Sequence, residues 1–326
     1  MALLTVENLT VGFRIGGGDL EIASQVSLTL ERGRVLGVIG ESGSGKTVTS
    51  KALLRLLPAN AYLSADRIEF AGRDLVAMPE AEFSALRGRE MAMIFQDPVG
   101  SFNPVKTIGW HFTQVGQRAR GKSFRKSDAR QSAVETLKQA GIPHAEDVLG
   151  LYPHQLSGGM LQRCLIALVL FLKPSLIMAD EPTTNLDNIV ERQIIDLFTH
   201  LQDEVDAGFI FITHDMTIAE RICDDIAVMY AGQVVETAPA GKVLSHPVHP
   251  YSQGLIRTAR ELDAGVKELT EIPGDLSGWQ ASPHRCRFSG RCPQRATACD
   301  SPIELTTIER HGAVRCVLAE RAGAAP

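Results

Sequence analysis

The sequence predicts an α/β fold with a parallel sheet, on three observations. The short apolar runs RVLGVIG, MAMIF, LIMA and GFIFI have the length and composition of buried strands. Stretches with helical patterns lie between them, VTSKALLRLL and SDARQSAVETLKQAG among them, the latter with a Ser/Asp start and a Gly stop. Each run ends on a residue suited to polar chemistry: Gly40, Gln96, the pair Asp180-Glu181, and His214. Strand C-termini are where open parallel α/β sheets gather their ligands.

Composition sets the outer bounds. The 326 residues suffice for one large domain or two ordinary ones, and 44% hydrophobic with 22% charged residues is the balance of an ordinary globular chain. A formal net charge of −5 with no long basic run gives no reason to expect nucleic-acid binding. The start, MALLTVENLTVGFRI, has neither the basic n-region nor the apolar h-region of a signal peptide. The longest apolar run, LIALVLFL, is far short of the ~20 residues a spanning helix needs, so it reads as a buried helix. A cytosolic protein is expected, and a reducing cytosol disfavours structural disulfides.

The first strand leads into Gly40-Glu41-Ser42-Gly43-Ser44-Gly45-Lys46-Thr47, and a helical pattern follows. Strand, glycine loop, helix is the context that the G-x-x-x-x-G-K-[ST] pattern requires. Phosphate oxygens need many N–H donors converging on one point, and a glycine-rich loop at a helix N-terminus supplies them. Lys46 would neutralise the β- and γ-phosphates, and the Thr47 hydroxyl would ligate Mg²⁺. At the end of PSLIMAD, Asp180 would hold Mg²⁺ through its water shell, and Glu181 would polarise a water for in-line attack. His214, after GFIFIT, would reach the γ-phosphate.

LYPHQLSGGMLQRCLIALVL adds Ser157-Gly158-Gly159 at the start of an apolar helix, a second anion cradle. With Gln96, Asp180, Glu181, Asp187 and His214 in this order, the chain resembles the ABC ATPases over roughly residues 1 to 240. The resemblance implies that ATP and Mg²⁺ are bound, with Thr47, Gln96 and Asp180 on the metal and Glu181, His214 and Gln96 in the catalytic set. It implies nucleotide contacts from Gly40, Ser42, Gly43, Gly45 and Lys46, and an adenine stacked on Phe13, which a core role would explain nearly as well. It also implies that Asp187 contacts the nucleotide and that Ser157, Gly158 and Gly159 close over ATP held by a second subunit, so that a monomer has only half of each site.

FQDPVGSFNPV, HPVHPYSQGLIRTA and EIPGDLSG…CRFSGRC extend the likeness to the oligopeptide, dipeptide and nickel importer ATPases along nearly the whole chain. That likeness implies two membrane permease subunits, an extracytoplasmic solute-binding protein, and a place on the cytoplasmic face of the membrane. Three positions depart from the pattern. Met160 replaces the usual Gln, with Gln162 two residues later; Asn185 replaces a small residue; Arg34 stands where an acid is common. Met160 and Arg34 hint at the nickel branch, and Met160 suggests unequal sites and hence a distinct homologue as second ATPase subunit. The rival functions are a soluble ABC ATPase acting on ribosome or DNA, opposed by the single phosphate loop, and a weakly hydrolysing regulatory subunit, suggested by Met160 and Asn185.

The expected domains are an ATPase domain over 1–245, with a helical subdomain over about 98–172, and an accessory segment over 246–326. The accessory segment carries Cys286, Cys292, Cys299 and Cys316. Their spacing lacks the C-x2-4-C pairs of zinc sites and is not a ferredoxin run, so it leaves zinc, an iron–sulfur cluster and free thiols open. The importer resemblance favours a [4Fe–4S] cluster over zinc. Cys164 and Cys223 sit in apolar sequence and read as buried bystanders.

Overall fold

A computed structural model describes residues 2–16, 18–121, 123–184, 186–204, 206–276 and 285–319. The chain forms two compact units, one of residues 2–30, 34–76 and 211–326, the other of 31–33 and 77–210.

The first unit opens with two long strands, β1 (Ala2–Ile15) and β2 (Gly18–Glu31). β3 (Val35–Ile39) is buried at every position and runs through the glycine loop into α1 (Lys46–Leu53). β4 (Ala61–Ser64) and β5 (Arg67–Phe70) pair antiparallel with β1, and β6 (Arg73–Asp74) closes this sheet in the order β2-β1-β5-β6.

The second unit begins with α2 (Glu80–Leu86) and β7 (Met91–Ile94). Four helices follow: α3 (Ile108–Arg120), α4 (Lys126–Gln139), α5 (Ala145–Val148) and α6 (Gly158–Leu172). α4, α3 and α6 pack on one another. In α6, LIALVLFL is buried from Leu165 to Phe171, as its composition predicts, and each fully buried large side chain contributes about 1.5–3 kcal/mol. The expected Ser/Asp start of α4 does not hold. Arg125 is the N-cap residue, with no side-chain cap bond, and Ser127 Oγ bonds Asp128 instead. The glycine stop is real: Gly141, just beyond the helix, has φ 76°. β8 (Leu176–Asp180) runs parallel to β7, with Ile94 opposite Ala179, and α7 (Asn188–Glu204) follows.

The chain passes back to the first unit within β9 (Gly208–Thr213), a strand buried at every position. Next come α8 (Met216–Ile222), β10 (Asp225–Tyr230), β11 (Gln233–Pro239), α9 (Ala240–Ser245) and α10 (Pro250–Asp263). A short hairpin of β12 (Thr306–Ile308) and β13 (Gly312–Val314) ends the described fold. Within this unit the strands run in the order β12-β13-β11-β10-β3, with β3·β10 parallel and the β10·β11, β11·β13 and β12·β13 pairings antiparallel. Arg34, the unusual basic residue before β3, has its acid at the head of the neighbouring strand: Nε and Nη2 both reach Asp225 Oδ2, at 3.1 and 2.8 Å.

The C-terminal residues are integrated into this unit. Glu236 of β11, fully buried, accepts the Val248 and His249 amides at 2.9 Å and His311 Nε2 at 2.7 Å. His249 caps α10 by accepting the Tyr251 amide at Nδ1 (3.0 Å). Burial, with the Arg315 charge in second place, pushes the His249 pKa down to about 3, so its ring stays neutral and available as an acceptor. Among the described residues, no helix is long and apolar enough to cross a membrane.

Candidate functional site: a phosphate loop and an exposed signature helix

The phosphate loop is shaped by its glycines and by β10. Gly40 has φ 151°, and a Cβ there would lie 2.1 Å from the Met229 carbonyl oxygen, so the loop can leave β3 this close to β10 only with glycine. Ser44 and Lys46 are buried while Ser42 and Gly43 form an exposed crest. Lys46 Nζ, at the floor, donates to the Gly40 and Glu41 carbonyls at 2.8 and 2.9 Å. Thr47 is half-buried in the first turn of α1. Phe13 lies in β1 opposite Ala61 and is half-buried. His214 directly follows β9 and is exposed, and the next residue, Asp215, caps α8 by accepting from the Thr217 and Ile218 amides.

In the other unit, Asp180 ends β8 with 2% of its surface exposed, and Glu181 follows in the left-handed region at φ 44°. A non-glycine residue there costs of order 1–2 kcal/mol, and such strain is maintained where the fold over-determines it. Glu181 Oε2 accepts from Thr184 Oγ1 at 2.9 Å and from Gln96 Nε2 at 3.3 Å. Gln96 stands just beyond β7, exposed, as its strand-end position predicts. The structure brings Gln96, Glu181 and Thr184 together; the Thr184 hydroxyl carried no motif signal in the sequence.

Ser157 N-caps α6, its Oγ accepting the Met160 amide at 3.3 Å. Gly159 is required inside the chain, since a Cβ would come within 2.7 Å of Val190 Cγ1. Gly158 faces open space and is exposed, as is Ser157. Asp187 Oδ1 accepts the Ile189 and Val190 amides at the start of α7 and stays exposed. Gln162 is buried in α6 and so does not take the place of the missing polar residue at 160. Asn185 lies outside the described residues.

The C-terminal cysteines come together only partly. Cys286 N–H donates to the Cys299 carbonyl at 2.9 Å, and the Leu318 amide donates to Cys316 Sγ at 3.5 Å. Burial pushes the Cys286 thiol up to about 11; the Phe288 amide opposes the shift, and the charges of Cys299, Cys316 and Cys292 add to it. Burial likewise raises Cys292 and Cys316, against the Gln294 and Leu318 amides respectively. Among the described residues no group of three or more His, Cys, Asp or Glu is placed to hold a metal ion. The expected four-cysteine metal site is therefore not formed at ligand distances. Burial first, and the neighbouring cysteine charges after it, favour the protonated thiol at Cys286, Cys292 and Cys316. Cys164 and Cys223 are buried as expected, and burial pushes Cys164 up to about 12.

Comparisons with known proteins agree with this geometry. Residues 23–184 match the family model described as ABC transporter, and residues 235–299 match the one described as oligopeptide/dipeptide transporter, C-terminal region. The chain is 41% identical over 313 residues to the oligopeptide transport ATP-binding protein OppD of Haemophilus influenzae, covering 96% of each. It is 40% identical over 299 residues to the dipeptide transport ATP-binding protein DppD of Escherichia coli K12, covering 92% of this chain and 91% of the relative. The dimeric ATP-binding cassette MJ0796 in a post-hydrolysis state with ADP and Pi shares the fold, with a TM-score of 0.64 at 22% identity over 73% of this chain and 98% of that one. The chain belongs to the ATP-hydrolysing, ATP-binding subunits of ABC transporters, in the group that carries the oligopeptide/dipeptide transporter C-terminal region.

Proposed function

We propose that this chain hydrolyses ATP to drive import of peptides or a related small solute, docked on two permease subunits at the cytoplasmic face of the membrane. A solute-binding protein on the far side delivers the cargo, and a second, distinct ATPase subunit completes the nucleotide sites. The observation that carries the reading is the pairing, in one chain, of a complete phosphate loop with a signature helix N-terminus whose Ser157 and Gly158 are exposed and unobstructed by their own chain. Lys46, Thr47, Asp180 and Gln96 would hold Mg·ATP, Glu181 would take the proton of the attacking water, and His214 would steady the γ-phosphate.

The partner half of the site gives a direct test. In the isolated chain, Ser157→Arg is expected to leave ATP affinity within about twofold, while turnover of the assembled transporter falls by roughly two orders of magnitude, the loss typical of removing one anion-stabilising donor. Collapse of binding in the isolated chain, with turnover surviving in the assembly, would refute the assignment of Ser157 to the partner's nucleotide.

The four C-terminal cysteines are read here as the ligands of a [4Fe–4S] cluster. Support comes from geometry within the segment: the Cys286 amide donates to the Cys299 carbonyl at 2.9 Å, and Cys316 Sγ accepts the Leu318 amide at 3.5 Å. The cluster would neutralise the repulsion that otherwise keeps these thiols protonated, and so hold together a segment with little core of its own. Anaerobically purified protein is then expected to be brown, with about four iron and four sulfide per chain, and Cys292→Ser to lose both while nucleotide binding persists. One zinc per colourless chain would replace the cluster with zinc; a metal-free chain with four rapidly reacting thiols and a folded C-terminal segment would refute both.

A further inference from the structure

Glu41, the second residue of the phosphate loop, is held by the C-terminal region of the chain. Its amide donates to the hydroxyl of Tyr251, a side chain of α10 with no exposed surface, at 2.9 Å. Its carboxylate is gripped by both ends of the Arg291 guanidinium, with Nη1 to Oε2 at 2.9 Å and Nη2 to Oε1 at 3.2 Å. Its carbonyl accepts from Lys46 Nζ. One loop residue is therefore fixed at its amide, its side chain and its carbonyl.

The grip is itself anchored. Arg291 Nε donates to the Pro273 carbonyl at 2.7 Å and Nη2 to the Ile272 carbonyl at 3.1 Å, while the guanidinium lies over the Tyr230 ring, 5.6 Å from its centroid. Tyr230, Tyr251 and Phe288 pack ring against ring, with centroids 4.6 to 5.5 Å apart. Exposed ion pairs contribute little because water screens them and the side chains lose freedom. Here the arginine is 9% exposed and the glutamate 26%, the contact is bidentate, and the fork is already held by two carbonyls, so little further freedom is lost in forming it.

We propose that Arg291 is a positioning residue of the nucleotide site: acting through Glu41, and together with Tyr251, it pre-sets the phosphate loop in the form that receives the phosphates. Glu41 sits between Gly40 and the exposed Ser42-Gly43 crest, and a glycine-rich loop loses much backbone entropy when its amides converge on an anion. Fixing Glu41 beforehand removes part of that cost from nucleotide binding. Lys46 gains the same benefit, because the two carbonyls that orient its ammonium belong to Gly40 and Glu41. By reciprocity, nucleotide binding would steady the segment that carries Arg291. The proposal rests on ATP binding at this loop and is independent of which metal, if any, the cysteines hold.

The test uses the full-length chain, with calorimetric titration of ATP and ADP and hydrogen exchange of the loop amides in the absence of nucleotide. Arg291→Ala is expected to weaken both nucleotides roughly tenfold, the scale of one partly buried charge pair, and to speed exchange at residues 41–46. Arg291→Lys should recover only part of the loss, since an ammonium cannot span both carboxylate oxygens. Glu41→Gln, which keeps the side-chain shape, should reproduce the effect, and combining it with Arg291→Ala should add little, because both break one contact. Additive losses in the double variant, or affinities within twofold of the parent with unchanged loop exchange, would overturn the proposal. If Arg291→Ala does not fold, Glu41→Gln decides alone: unchanged affinity and loop exchange refute it, and weakened binding with faster exchange supports it.

Discussion

Replacing Glu181 by Gln is expected to lower ATP hydrolysis at this chain's site by 10²–10⁴-fold, the usual contribution of a positioned general base, while ATP still binds. The substitution is close to isosteric, and an amide oxygen can keep accepting from Thr184 Oγ1 and Gln96 Nε2. What it loses is the ability to take a proton from water. With chemistry blocked and binding intact, the nucleotide sandwich should persist, so the variant accumulates as a closed dimer in ATP. Turnover is best read in a transporter whose other ATPase site is already inactive, because that site would otherwise mask the loss. Glu181→Gly serves as a backbone control: glycine suits φ 44°, so a fold defect there would point to side-chain packing. Parent-level turnover in the Gln variant would remove Glu181 from the catalytic set.

Lys46→Ala is expected to fail at the earlier step. The ammonium lies at the floor of the phosphate loop with 5% of its residue surface exposed, so no neighbouring solvent cation substitutes for it readily. Losing a charge-assisted contact of roughly 3 kcal/mol corresponds to an affinity about 100-fold weaker. The substitution also removes the donor that serves the Gly40 and Glu41 carbonyls. Thermal unfolding separates the two consequences. Saturating ADP should raise the midpoint of the parent protein by mass action and barely move that of the variant. A variant with the full nucleotide-induced shift would show that Lys46 does not face the phosphates.

Much of the site was legible because its signals are local. Loop, strand end and helix start are adjacent in sequence, and their chemistry follows from spacing: glycines before Lys46, acids at the end of β8, Ser157 at the head of α6. The buried helix within 158–172 was equally plain, since its apolar run fits a core position and falls short of a membrane span. Other local signals misled. A Ser/Asp pair marked the start of α4, yet the helix begins one residue earlier with an arginine as N-cap, because packing on α3 and α6 holds it without a side-chain cap. The cysteine spacing left the metal open, and the described residues do not close a ligand set.

By itself the sequence determined the ATPase chemistry, the order of its parts and the family, because each motif is written in residues within a few positions of one another. Tertiary structure alone decided how the C-terminal region meets the phosphate loop. Glu41 and Arg291 are 250 positions apart and Glu41 and Tyr251 are 210 apart, and neither pair has any signature in local pattern. It also decided that β13 pairs with β11, that Arg34 finds Asp225 at the head of β10, and that Glu181 is held at positive φ with Thr184 against its carboxylate. Helical and strand periodicities encode which face of an element is buried, whereas the partner that covers it is chosen by packing of the whole chain, where one ion pair far apart in sequence becomes close in space.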